Sequence, residues 1–113
     1  MKPILLAGLL FLGATTAFAH SKLNTTEPAD GAVLAQAPPH IVLTFAKRIR
    51  LTRVRMTHDA GDTVDLDLGE QTAFATRFEL PLKDMGSGLY RIEWRGLSGD
   101  GHAMRKTVTF RVQ

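Results

Sequence analysis

The amino-acid sequence predicts an all-β domain, a sandwich or barrel of about seven strands with an Ig-like build. Three observations predict it. Beyond residue 19 no stretch carries a convincing helical period. Apolar and polar residues instead alternate in short runs, and turn signals separate those runs every ten residues or so. The chain also contains no cysteine, so a packed apolar core has to hold it together without disulfide staples.

Residues 1–19 stand apart as a cleavable signal peptide. Lys2 supplies the positive start, Ile4 to Leu12 the apolar run, and Ala17-Phe18-Ala19 the small-x-small cleavage site. Residues 20–113 then form the mature domain, expected to be periplasmic and monomeric. Its 94 residues (113 less 19) suffice for one domain and are too few for two. Lys2 is the only charge in the leader, so thirteen bases face eleven acids and the mature charge is +2. The densest basic stretch, Lys47, Arg48, Arg50, Arg53 and Arg55, is interleaved with apolar residues. It reads as a solvated strand face, and no nucleic-acid partner is expected. No second apolar run approaches the roughly 18 residues of a membrane helix.

The strands follow in order. A short one is expected near Ser21 to Thr25. Ile41, Leu43 and Phe45 alternate with Val42 and Thr44 after the Pro38-Pro39 break, and Leu51 to Thr57 sets Val54 and Met56 against Arg53 and Arg55. Asp59-Ala60-Gly61-Asp62 makes a hairpin turn into Thr63 to Leu68. Phe74, Thr76, Phe78 and Leu80 share a face opposite Arg77 and Glu79. Tyr90, Ile92 and Trp94 alternate with Arg91, Glu93 and Arg95, and Val108, Phe110 and Val112 close the domain. Met56 and Trp94 belong to the core in this reading, Met85 to a turn, and Met104 to the start of the last strand. His40 and His58 are expected to be exposed, and Glu27 has no evident partner.

Chemistry concentrates at the two ends of the mature chain. Cleavage after Ala19 makes His20 the first residue, which then offers an α-amine and an imidazole Nδ1 to one ion. Ser98-Gly99-Asp100-Gly101-His102 adds a carboxylate and a second imidazole; on an extended backbone, positions 100 and 102 point to one side. Nitrogen and oxygen donors without a thiolate suit Cu(II). His20, Asp100 and His102 are the expected metal ligands.

These residues carry a family resemblance. His20 with Pro28-Ala29-Asp30-Gly31-Ala32, Ile41-Val42-Leu43-Thr44-Phe45, Gly88 to Arg95, Ser98 to His102 and Val108 to Val112 together resemble the CopC-type periplasmic copper-binding proteins over the whole mature chain. The resemblance implies a Greek-key β fold that binds one Cu(II) through His20 amine and Nδ1, Asp100 and His102. It implies copper sequestration or delivery to a CopD-like membrane transporter, and no enzymatic activity. Some members place a further glutamate ligand in an F-S-E segment, whereas Phe45-Ala46-Lys47 has lysine there. Some bind Cu(I) in a Met-rich loop, where this chain has only Met56 and His58, so no Cu(I) site is expected. Two other functions are compatible with the sequence: a copper oxygenase using the same terminal histidine, and a metal-free interaction sandwich.

Overall fold

The computed structural model describes residues 24–113. The expected signal peptide, His20 and the beginning of the strand expected near Ser21 to Thr25 lie outside the described residues. Seven strands and no helix occur among the described residues: β1 (Thr25–Glu27), β2 (Ala32–Leu34), β3 (His40–His58), β4 (Thr63–Asp65), β5 (Ala75–Pro81), β6 (Gly88–Ser98) and β7 (Ala103–Val112). They hydrogen-bond in the order β1-β3-β6-β7-β2, with β4 and β5 also paired to β3. Neighbours that are not consecutive in sequence give the sheet its Greek-key character.

Strand β3 makes the sheet curl. Its first residues pair with β1 (Thr25↔Thr44) and β5 (Leu43↔Phe78), while its later residues pair with β4 (Met56↔Val64) and β6 (Val54↔Trp94). One strand therefore serves both layers. The two strands expected at 41–45 and 51–57 are parts of this single strand. Two register shifts concealed the continuity. Between Thr44↔Arg77 and Ile49↔Ala75, five steps along β3 answer two along β5. Between Leu51↔Gly96 and Arg53↔Arg95, two steps answer one. Extra residues of this kind bend a strand and break its period-two alternation.

The shortest elements also differ from the sequence expectation. Strand β2 was not anticipated; it lies parallel to β7 (Ala32↔Phe110), and three residues are too few to show alternation. The preceding turn fixes it: Gly31 N donates to Thr109 O at 2.7 Å, and Asp30 Oδ1 accepts Thr109 N at 2.8 Å. Strand β4 ends at Asp65, although Leu66 is buried and its N–H still reaches Val54 O at 2.8 Å. Phe74 lies outside β5 and is 41% exposed, so only Phe78 and Leu80 of the expected face enter the core.

The core sits inside the curl. Ile41, Leu43, Phe45, Phe78 and Leu80 meet Val54, Met56, Tyr90, Ile92, Trp94, Val108 and Phe110. Phe45 contacts Trp94 edge-on at 4.9 Å, and Tyr90 stacks on Phe110 at 5.0 Å. Fully burying each large apolar side chain stabilises the fold by about 1.5–3 kcal/mol. No polar or charged residue is buried among the described residues, which leaves the chemistry to the sheet ends and the solvent face.

Candidate metal centre

Strands β6 and β7 pair without interruption from Gly88↔Val112 to Leu97↔Ala103. The chain between them must reverse within a few residues, and Ser98 to His102 does so. Ser98 N donates to His102 O at 2.9 Å and Gly101 N to Ser98 O at 3.0 Å. Gly101 takes φ +89°, a conformation that costs glycine least.

This tight turn, rather than the extended backbone expected from the spacing, brings Asp100 and His102 together. Asp100 Oδ1 lies 2.9 Å from His102 Nδ1. The hydroxyl of Ser98 donates to the same carboxylate oxygen and accepts the His102 N–H at 3.1 Å. Ser98 belongs to the motif seen in the sequence, but its role as the residue that joins the pair shows only in the structure. The Ser98 hydroxyl, followed by the His102 ring, holds the Asp100 carboxyl below the ordinary carboxylate range. Asp100 therefore stands ready as an anion.

The pair is open to solvent, with the His102 side chain 81% and the Asp100 side chain 67% exposed. Nitrogen and oxygen donors sit about 2.0–2.1 Å from a first-row divalent ion. Two of them on adjacent corners of a square then stand about 2.9 Å apart, and tetragonal N,O coordination is what Cu(II) prefers. The observed separation equals that spacing, but it is made by a hydrogen bond between ring and carboxylate, so an ion taking both atoms would have to displace the proton they share. Among the described residues no group of three His, Cys, Asp or Glu side chains gathers at one point. Asp100 and His102 are two of the three expected ligands, and the third, His20, lies outside the described residues.

A groove of about 440 Å³ opens beside the turn, lined by Asn24, Ala46, Lys47, Ile49, Asp100 and Met104 among others. Register explains its composition. Ile49 is the partner of Ser98, so the extra residues of β3 arch out next to the turn. Lys47 consequently lines the groove on the side of Asp100. Asn24, where the described chain begins, lines the same groove.

The other histidines are placed elsewhere. His40 is exposed as expected and opens β3, with Nδ1 3.6 Å from Glu79 Oε2. His58 was expected to be exposed, yet its side chain is only 19% exposed. Nε2 lies 2.7 Å from Ser87 O, and the ring meets Tyr90 edge-on at 4.9 Å. Tyr90 is completely buried, so the aromatic contact draws the imidazole against the sheet. Met56 is 1% exposed and closed in the core, and Met85 is exposed in the loop before β6 rather than in a regular turn.

The chain has relatives among known proteins. The family described as the CopC domain matches residues 23–113. The copper resistance protein C of Escherichia coli is 29% identical, over 99% of this chain and 96% of its own length. Its counterpart in Xanthomonas campestris pv. juglandis is 28% identical, over 90% and 87%. A third relative, the copper transport protein CutJ of Bacillus subtilis, is 28% identical over 96% of this chain, which spans only 21% of that protein's length. Among solved structures, CopC from Methylosinus trichosporium OB3b superposes with a TM-score of 0.65 at 20% identity, covering 78% of this chain and 88% of its own. At these identities the structural likeness speaks for the fold, which is that of a β-sandwich or barrel.

Proposed function

The chain belongs to the CopC family, and from that membership we propose that it binds one Cu(II) ion in the periplasm through His20, Asp100 and His102. The observation that carries the reading is the Asp100–His102 pair, a nitrogen and an oxygen donor brought side by side by the turn and pinned by Ser98. The amine and Nδ1 of a terminal His20 supply the remaining corners. The reach is sufficient: Asn24 lines the groove beside Asp100, and the four residues back to His20 span at most about 14 Å when extended.

Nitrogen and oxygen donors hold copper as Cu(II), and Met56, in the core, brings no sulfur to the surface near His58. The role is sequestration or delivery. A relative named as a copper transport protein contains a region like this chain within a much longer protein, which supports delivery to a CopD-like membrane transporter. Carrier function, rather than polysaccharide oxidation, agrees with Tyr90 and Trp94 being 0% and 2% exposed, since neither ring is available as a sugar platform.

Titrating the protein beginning at His20 with Cu(II), and separately with Cu(I), tests this. One Cu(II) should bind with a tetragonal spectrum, and Cu(I) only weakly. No Cu(II) uptake, or a preference for Cu(I), contradicts the reading.

A further inference from the structure

The solvent face of the β3–β6–β7 sheet carries charge in an arrangement that sheets ordinarily avoid. Arg53, Arg95 and Arg105 are direct partners across three adjacent strands (Arg53↔Arg95↔Arg105). Directly opposed like charges destabilise a sheet. Arg53 is answered by Asp65, with Nε 2.8 Å from Oδ1 and a second contact at 3.3 Å. Arg95 and Arg105 have no carboxylate within ion-pair distance among the described residues. The Nε of Arg95 is buried without a hydrogen-bond partner. In the next row Arg55 faces Glu93 at 3.9 Å, and one row further Arg91 stands between Thr57 and Thr109. Five arginines thus meet two acids on this face.

Position gives the pattern a purpose. Arg95↔Arg105 lies two pairs before Leu97↔Ala103, where the Ser98–His102 turn begins. At the rise of a strand that is about 7 Å from the base of the turn. A shallow groove lined by Thr52, Arg95, Leu97, Met104 and Arg105 joins the two. A local rule broken without compensation inside the fold is expected where a surface has work to do outside it.

We propose that this arginine face is the docking surface for an acidic patch on the protein that exchanges copper with this chain. Docking there sets the partner's own metal ligands over the exposed Asp100–His102 pair. The identity of the partner as a copper-exchange protein rests on the copper reading above; the acidic docking itself does not. Guanidinium groups in fixed rows favour carboxylates by charge and by bidentate geometry. Steering of this kind raises association rates and weakens with salt.

The test measures binding of the whole apo mature protein to a short oligoglutamate peptide at low and at physiological salt. Arg105→Gln, at an exposed position, should weaken binding about fivefold, and Arg95→Gln should add to the loss. Lys83→Gln removes the same charge away from this face and should leave binding unchanged. Equal losses from Lys83→Gln and Arg105→Gln would overturn the proposal. So would tighter, Arg105-dependent binding to phosphatidylglycerol vesicles than to the peptide, which would assign the face to a membrane. His102→Ala should retain peptide binding. Loss of copper uptake there with docking intact separates the two readings, and Arg105→Gln should leave Cu(II) affinity unaltered when no peptide is present.

Discussion

Asp100 Oδ1 and His102 Nδ1 stand 2.9 Å apart across a glycine with φ +89°, held by one serine that contacts both residues. The turn itself therefore brings the carboxylate and the imidazole together.

Substitution within the turn should produce graded effects. His102→Ala removes a nitrogen ligand and should change the Cu(II) spectrum, costing more than the roughly 10–100-fold typical of losing an outer partner. Asp100→Asn keeps the shape, deletes a charge and should weaken binding less. Ser98→Ala leaves both ligands in place and removes their support, for a loss of about tenfold. His40→Ala and His58→Ala should leave the spectrum unchanged. A larger loss from His58→Ala than from His102→Ala would show that the site lies elsewhere.

Tyr90 tests the far end of the same hairpin. Its hydroxyl donates to Gly86 O and accepts Met85 N, both at 2.8 Å, so Tyr90→Phe strands two backbone groups. Chemical denaturation should register a loss of about 1–2 kcal/mol. Copper affinity should be unaffected, because eight residues of strand, about 26 Å, separate Tyr90 from Ser98. A copper-binding defect in this variant would mean that the turn is coupled to the whole sheet.

Acid should weaken the metal-free protein. The hydrogen bond from Arg53 lowers the Asp65 carboxyl, and Ser98 followed by His102 lowers that of Asp100. A carboxyl depressed by folding adds stability that is complete above its unfolded value, about 3.9, and disappears as pH falls through the folded value. Urea midpoints should hold between about pH 7 and 5 and decline below about 4. Arg53→Gln should flatten part of that decline. Rising stability on acidification through the same range would contradict these assignments.

Much of the fold was legible because the alternation is regular where strands are regular. Tyr90, Ile92 and Trp94, and Val108, Phe110 and Val112, face the core as their spacing requires. The reading failed where an extra residue reset the period. Buried positions run Ile49, Leu51 and then Val54, Met56, and the odd-to-even change marks the shift at Thr52. It was available in the sequence but resembled a break between strands. That Asp100 and His102 lie together was legible from their spacing, whereas the turned backbone was not, since Gly99 and Gly101 permit either geometry. Lys47 entering the groove beside Asp100 depends on the three extra residues of β3, which only the register reveals.

The central claim is that a terminal histidine binds copper together with Asp100 and His102. It is tested most directly by comparing the Cu(II) affinity of two chains, one beginning at His20 and one retaining Ala19 before it. Retention converts the amine into an amide, removes it as a neutral donor and leaves the sheet untouched. The account predicts that affinity falls by orders of magnitude in the extended chain while its thermal unfolding is unchanged. Equal affinity in the two chains would contradict it.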